Sequence, residues 1–106
     1  MAAYIIFIRE RTHTPAELEI YSQIAPAALA GHPVTLHALY GHHEVIEGAA
    51  VEGAAILEFP SFEEAKRWYD SPAYLEAREH RLRGASYIGI IVEGFRQPPD
   101  VAHHED

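Results

Sequence analysis

The stretch Ala3-Tyr4-Ile5-Ile6-Phe7-Ile8, followed by the polar segment Arg9 to His13 and then Thr14-Pro15-Ala16-Glu17, decides how this chain folds. An unbroken apolar run rich in β-branched and aromatic side chains reads as a strand covered on both faces. Thr14 is suited to an N-cap, Pro15 to the first helical position, and Glu17 stands three residues after the cap, so a helix begins here. Leu18, Tyr21, Ile24, Ala25, Ala28 and Leu29 recur at three- and four-residue spacing and form one stripe facing a core. Pro26 falls inside that stripe and is expected to kink or divide the helix, which Gly31 and Pro33 then close.

Working outward, Val34 to Tyr40 is a second strand, Gly41-His42 suits a two-residue hairpin turn, and His43 to Glu47 is the expected returning strand. Gly48 to Gly53 reads as a loop and Ala54 to Phe59 as another apolar strand. Ser61-Phe62-Glu63-Glu64 is a capping box opening a helix whose Phe62, Ala65, Trp68 and Tyr69 share a face. Ser71-Pro72 starts a third helix through about Arg83, with Leu75, Arg78 and Leu82 on one side and Gly84 as terminator. Ser86 to Glu93 is the last strand. Residues 1–95 thus form one domain, and 96–106 a polar tail expected to be mobile. The order predicts an α+β, ferredoxin-like βαββαβ sandwich with an extra hairpin strand.

Helices cover only one face of such a sheet, yet strand parity makes both faces apolar: Tyr4, Ile6 and Ile8 oppose Ile5 and Phe7, and Ile88, Ile90 and Val92 oppose Tyr87 and Ile91. At ~25 cal/mol per Å², several hundred Å² of exposed apolar sheet is costly in water. A homodimer paired through the sheet face is the expectation.

Composition narrows the function classes. The chain has 106 residues, no cysteine and a formal net charge of −8, with Lys66 its only lysine. One core of ordinary size fits that length. Without cysteine there is no disulfide framework, thiolate nucleophile or cysteine-ligated metal, which agrees with a cytoplasmic location. Without a basic stripe, neither nucleic acid nor an anionic membrane is an expected partner. The apolar opening is too short for a membrane span and has no basic flank of the signal-peptide kind.

Ile24-Ala25-Pro26-Ala27-Ala28-Leu29-Ala30-Gly31-His32, the strand-to-helix motif Leu57-Glu58-Phe59-Pro60-Ser61-Phe62-Glu63-Glu64-Ala65, then Trp68-Tyr69-Asp70-Ser71-Pro72-Ala73-Tyr74 and the ending Val92-Glu93-Gly94 together resemble the DUF1330 family. The resemblance spans about residues 3 to 95 and implies a ferredoxin-like subunit of the dimeric α/β-barrel superfamily, pairing sheet to sheet with its twin. It carries over no catalytic residue, because the family has no established general function. The second strand departs from the family's pattern: where members often carry an arginine before a glycine pair, this chain reads His37-Ala38-Leu39-Tyr40-Gly41.

With Gly41-His42 as the turn, His37 lies diagonally from Glu44 on one sheet face, a pairing that would orient an imidazole as a general base. Trp68, Tyr69, Asp70 and Tyr74 cluster at the break between two helices and suit the wall of a cleft, although core packing and helix capping explain them equally. Arg81 suits bidentate capture of a carboxylate, and equally compensates a helix dipole. Neighbouring His42 and His43 point to opposite sides of a strand, so no metal site is expected. There is no phosphate loop, nucleophile elbow or cofactor fingerprint.

The resemblance implies a cofactor-free enzyme performing acid/base chemistry (isomerase, lyase or decarboxylase type), since relatives of the superfamily include such enzymes, and these residues suit a small carboxylated or aromatic metabolite as its substrate. His37 or Asp70 would move a proton, Tyr69 and Tyr74 would orient the substrate, and Arg81 would hold an anionic group. The alternatives are a non-catalytic ligand-binding or structural dimer, and a cofactor-independent monooxygenase, for which Trp68 and His37 beside one cavity would be the expected feature.

Overall fold

The computed structural model describes residues 1–95. The elements run β1 (Ala3–Thr12), α1 (Pro15–Ala28), β2 (Thr35–Leu39), β3 (Gly53–Phe59), α2 (Phe62–Tyr69), α3 (Pro72–Gly84) and β4 (Ala85–Glu93). The strands form one antiparallel sheet in the order β2-β3-β1-β4, with the three helices packed on one face. This is the α+β ferredoxin-like arrangement expected from the alternation of strand and helix signals. The polar tail expected at 96–106 lies outside the described residues.

Helix starts follow the local chemistry with one exception. Ser61 Oγ accepts the Glu64 N–H at 3.1 Å, and Ser71 Oγ accepts the Tyr74 N–H at 3.3 Å, so the exposed donors of α2 and α3 are met where capping serines stand. Thr14 occupies the N-cap of α1, but its side chain makes no cap bond. Its intended partner Glu17 is engaged elsewhere, receiving His80 Nδ1 at 2.6 Å. Pro26 does not divide α1. It falls in the last turn, just before the C-cap Leu29, so the helix loses the bond to the Ser22 carbonyl but has only two residues left to carry beyond the proline.

The extra hairpin strand is not formed. β2 pairs directly with β3, from Thr35 opposite Glu58 to Leu39 opposite Ala55, and residues 40–52 are an irregular loop. The cause lies at Tyr40, whose φ of 56° ends the extended backbone one residue before the supposed turn. Beyond it, the two ring nitrogens of His43 lie 3.3 Å from the carbonyls of Gly41 and Val51, and the imidazole N–H donates to one of them.

The buried face of α3 also differs from the expectation. Tyr74, Ala77, Arg81 and Gly84 face inward, while Leu75 and Leu82 are exposed. A Cβ on Gly84 would stand 2.8 Å from Leu18 Cγ, so α3 approaches α1 closely at this point and glycine is the residue that fits there. The core joins the inward residues of β1 and β3 (Ala3, Ile5, Phe7, Ala55, Leu57, Phe59) to Ala65, Trp68, Tyr74 and Ala77.

The outer face is apolar, as parity predicted. Across the sheet, Ile56, Ile6 and Ile90 stand in one row and Ala54, Ile8 and Ile88 in the next. Ile88, Ile90 and Val92 are 46%, 51% and 43% exposed, so this face presents neighbouring apolar side chains to solvent. No helix among the described residues is long and apolar enough to cross a membrane.

Candidate functional site

Between α1 and the inner face of the sheet lies a cavity of about 250 Å³. Its floor is Phe7 and Leu57, its roof Leu18, Tyr21 and Ala25 of α1, and its sides include Leu39 on β2, Trp68 on α2 and Tyr87 on β4. Such a volume is at the lower end of small-molecule sites, and mostly apolar walls with a few polar groups are usual for them. Among the described residues no histidine or carboxylate lines it; its charged wall residue is Arg9.

The polar groups form two phenol pairs. Tyr21 Oη and Tyr74 Oη are 2.9 Å apart, and Arg81 Nε donates to Tyr74 Oη at 3.2 Å. On the opposite side, Tyr40 Oη and Tyr87 Oη are 3.0 Å apart. Tyr40 reaches inward because of its left-handed backbone, and Gly53 makes room for its ring: a Cβ there would lie 3.2 Å from Tyr40 Cδ1. Desolvation on burial foremost, reinforced by the neighbouring phenol, pushes Tyr21 and Tyr40 far above the usual phenol range, and burial likewise raises Tyr74. These phenols stay protonated at physiological pH and act as hydrogen-bond partners, not as bases.

Arg81 is only 2% exposed, and among the described residues no carboxylate pairs with it. Its guanidinium lies 4.4 Å from the centre of the Phe7 ring and 4.7 Å from that of Tyr87, so aromatic faces and one phenol oxygen replace a counter-ion. Burial opposes the charge, but the Tyr74 and Tyr21 oxygens outweigh it and hold Arg81 above its ordinary value. Arg9 is set similarly over the Tyr40 ring at 4.8 Å, its Nε bound to Glu52 at 3.1 Å. The same Glu52 accepts the Thr12 N–H at 2.9 Å and the Thr12 hydroxyl at 2.5 Å, fastening the loop to β1.

The residues expected from sequence to carry chemistry are dispersed. Tyr74 and Arg81 meet behind the cavity wall. Tyr69 is partly buried beside Tyr74, with ring centres 5.7 Å apart, and lines a second hollow of about 190 Å³. Asp70 is exposed at the C-cap of α2, 3.7 Å from Lys66. His37 lies on the outer face of the sheet. Its Nε2 is 2.6 Å from Glu58 Oε1, and its ring faces Tyr4; the expected partner Glu44 sits in the loop that replaces the hairpin. Trp68 lines the cavity but His37 does not. His42 and His43 are exposed, and no group of three or more potential metal ligands occurs among the described residues. Tyr21, Tyr40, Tyr87 and Arg9 were not singled out from sequence. Tyr21 looks like any other member of the α1 stripe, and the others converge only through the strand order.

A family model described as a domain of unknown function (DUF1330) matches residues 2–95. No curated protein matches the chain. Among solved structures, a protein of unknown function from Rhodopseudomonas palustris is similar at 15% identity and a TM-score of 0.69, over 91% of this chain and 84% of that one. A dimeric ferredoxin-like protein of unknown function from Thermobifida fusca is 13% identical, with a TM-score of 0.62, over 89% of this chain and 92% of its own. SnoaB, a cofactor-independent oxygenase from Streptomyces nogalater, is 14% identical with a TM-score of 0.55, over 92% and 96% of the two chains. Likeness at such identities establishes the fold alone.

Proposed function

The chain belongs to the DUF1330 family, and from that premise we propose that it is a homodimeric, cytoplasmic small-molecule protein whose inter-layer cavity takes an aromatic metabolite bearing an oxygen acceptor or a carboxylate. The observation that carries this reading is the composition of the cavity wall. Aromatic and aliphatic side chains enclose it, Arg9 stands in the wall, and among the described residues Arg81 lies behind it without a counter-ion and no acid lines it. A buried cation without a carboxylate favours a neutral or anionic occupant and rejects a cation. Tyr74 and Arg81 thus keep their expected part in ligand recognition, and Tyr69 supports Tyr74 from the adjoining hollow. His37 and Asp70 stand outside the cavity wall and take no part in this proposal. The dimer forms through the outer sheet face, where exposed Ile88, Ile90 and Val92 meet their copies and close a dimeric α/β barrel.

Trp68 is the only tryptophan and lines the cavity, so its fluorescence reports occupancy. Titration with 1-naphthol and 2-naphthoic acid is expected to quench it saturably, while 2-naphthylmethylammonium does not bind. Ala25→Phe, which fills the cavity from α1, removes the saturable signal. A folded wild type that shows no saturable response to any of these probes overturns the proposal. A second reading, cofactor-independent oxygenation, draws on Trp68 in the wall and on the likeness to an oxygenase, although His37, its expected companion, stands outside the cavity. Oxygen consumption with a dihydroxynaphthalene supports it; binding without uptake leaves the ligand-binding form.

A further inference from the structure

The hydrogen bonds behind the cavity have a direction. Arginine has only donors, so Arg81 Nε–H donates and Tyr74 Oη accepts, at 3.2 Å. The Tyr74 hydrogen must then go to an acceptor, and among the described residues its hydroxyl has one other partner, Tyr21 Oη at 2.9 Å. In the arrangement that leaves no hydrogen unmet at the fully buried Tyr74, Tyr74 donates to Tyr21, and the Tyr21 hydrogen is left without an acceptor among the described residues. Tyr21, unlike Tyr74 and Arg81, forms part of the cavity wall. Tyr74 is fully buried, which keeps water from reversing the chain at its middle link.

Resting on the ligand-binding reading above, we infer that Arg81, Tyr74 and Tyr21 form a directed donor relay that ends on the cavity and selects ligands presenting a phenolate, enolate or carbonyl oxygen to the Tyr21 hydroxyl. A cation at the far end polarises each hydroxyl in turn, so the terminal donor is stronger than an isolated phenol and favours an oxygen carrying negative charge. The groups near the Tyr21 hydroxyl agree with this: Tyr74 and Arg81 on α3, and Tyr40 after β2, none of them anionic. Tyr21 is the ligand-contacting residue, and Tyr74 and Arg81 are positioning residues that act through it. Such a site holds the ionised form of an acidic phenol or enol more tightly than its neutral form.

The probe is 4-nitrophenol, whose phenolate absorbs in the visible, read beside naphthalene, which has the shape but no oxygen. In the wild type, bound 4-nitrophenol is expected to ionise about one pH unit lower than in water, as a group does beside a favourable charge. Tyr21→Phe abolishes that shift and weakens the phenolate about tenfold, a loss of the size expected for a charge-assisted hydrogen bond, while naphthalene binding is retained. Tyr74→Phe, which keeps Tyr21 but cuts it from Arg81, removes part of the shift and serves where Tyr21→Phe is poorly folded. An unshifted ionisation in the wild type, or one equal in wild type and Tyr21→Phe, overturns the relay while the cavity reading stands. Failure of naphthalene and 4-nitrophenol alike to bind the folded wild type overturns both.

Discussion

At the scale of single residues, the contacts that shape the site are set by charge and by room for an atom. Glu52 accepts three hydrogen bonds from Thr12 and Arg9; those from Thr12 foremost hold its carboxyl below the usual 4.5. A carboxyl that is more acidic when folded stabilises the native state above its unfolded pKa and loses that contribution as pH falls through the lower folded value. The wild type is therefore expected to lose a small part of its thermal stability as pH falls below about 4.5, where the unfolded carboxyl binds protons more readily than the folded one. Glu52→Gln flattens that part of the curve; identical profiles would mean that the loop does not depend on this carboxylate. Because Glu52 also fixes Arg9 beside Tyr40, the same measurement reports on one edge of the cavity. The partly exposed His37–Glu58 pair is a weaker determinant, since solvent screens an ion pair at such a position.

Among the elements, α3 shows most clearly how packing overrides composition. A helix whose leucines point outward and whose arginine points inward contradicts a reading by hydrophobic periodicity. It arises because Ala77 and Gly84 are the small residues that admit α1, while Arg81 finds two aromatic faces and a phenol oxygen. Leu82→Glu is accordingly expected to change stability by less than about 0.5 kcal/mol, as surface substitutions do. Ala77→Leu overfills a fully buried position and costs about 1–3 kcal/mol. Urea unfolding of the two variants checks the assignment of faces, and the reverse ranking would contradict it. In β2 the decisive feature is the left-handed Tyr40: it stops the strand, releases the loop and turns a phenol toward Tyr87 in a single step.

For the molecule as a whole, the sheet has an apolar face that its own helices do not cover. Sedimentation at micromolar concentration is expected to find a particle of twice 11.9 kDa. Ile90→Asp, a change at a half-exposed position with little effect on the subunit core, shifts it to the single-chain mass. A wild type that sediments as one well-folded chain would remove the dimer and the barrel with it. The apolar second face, the helix starts at Pro15, Phe62 and Pro72, and the βαββαβ order were all legible in the residues, because strand parity, capping and helical spacing act over four residues or fewer. The missing hairpin strand was not: one residue's left-handed backbone undid a turn that glycine and histidine made plausible. Nor was the donor relay: Tyr74 and Arg81 share one face of α3, but Tyr21 joins them only once α1 and α3 lie side by side. No local pattern encodes a meeting between groups more than fifty positions apart, which depends on how complete helices settle on the sheet.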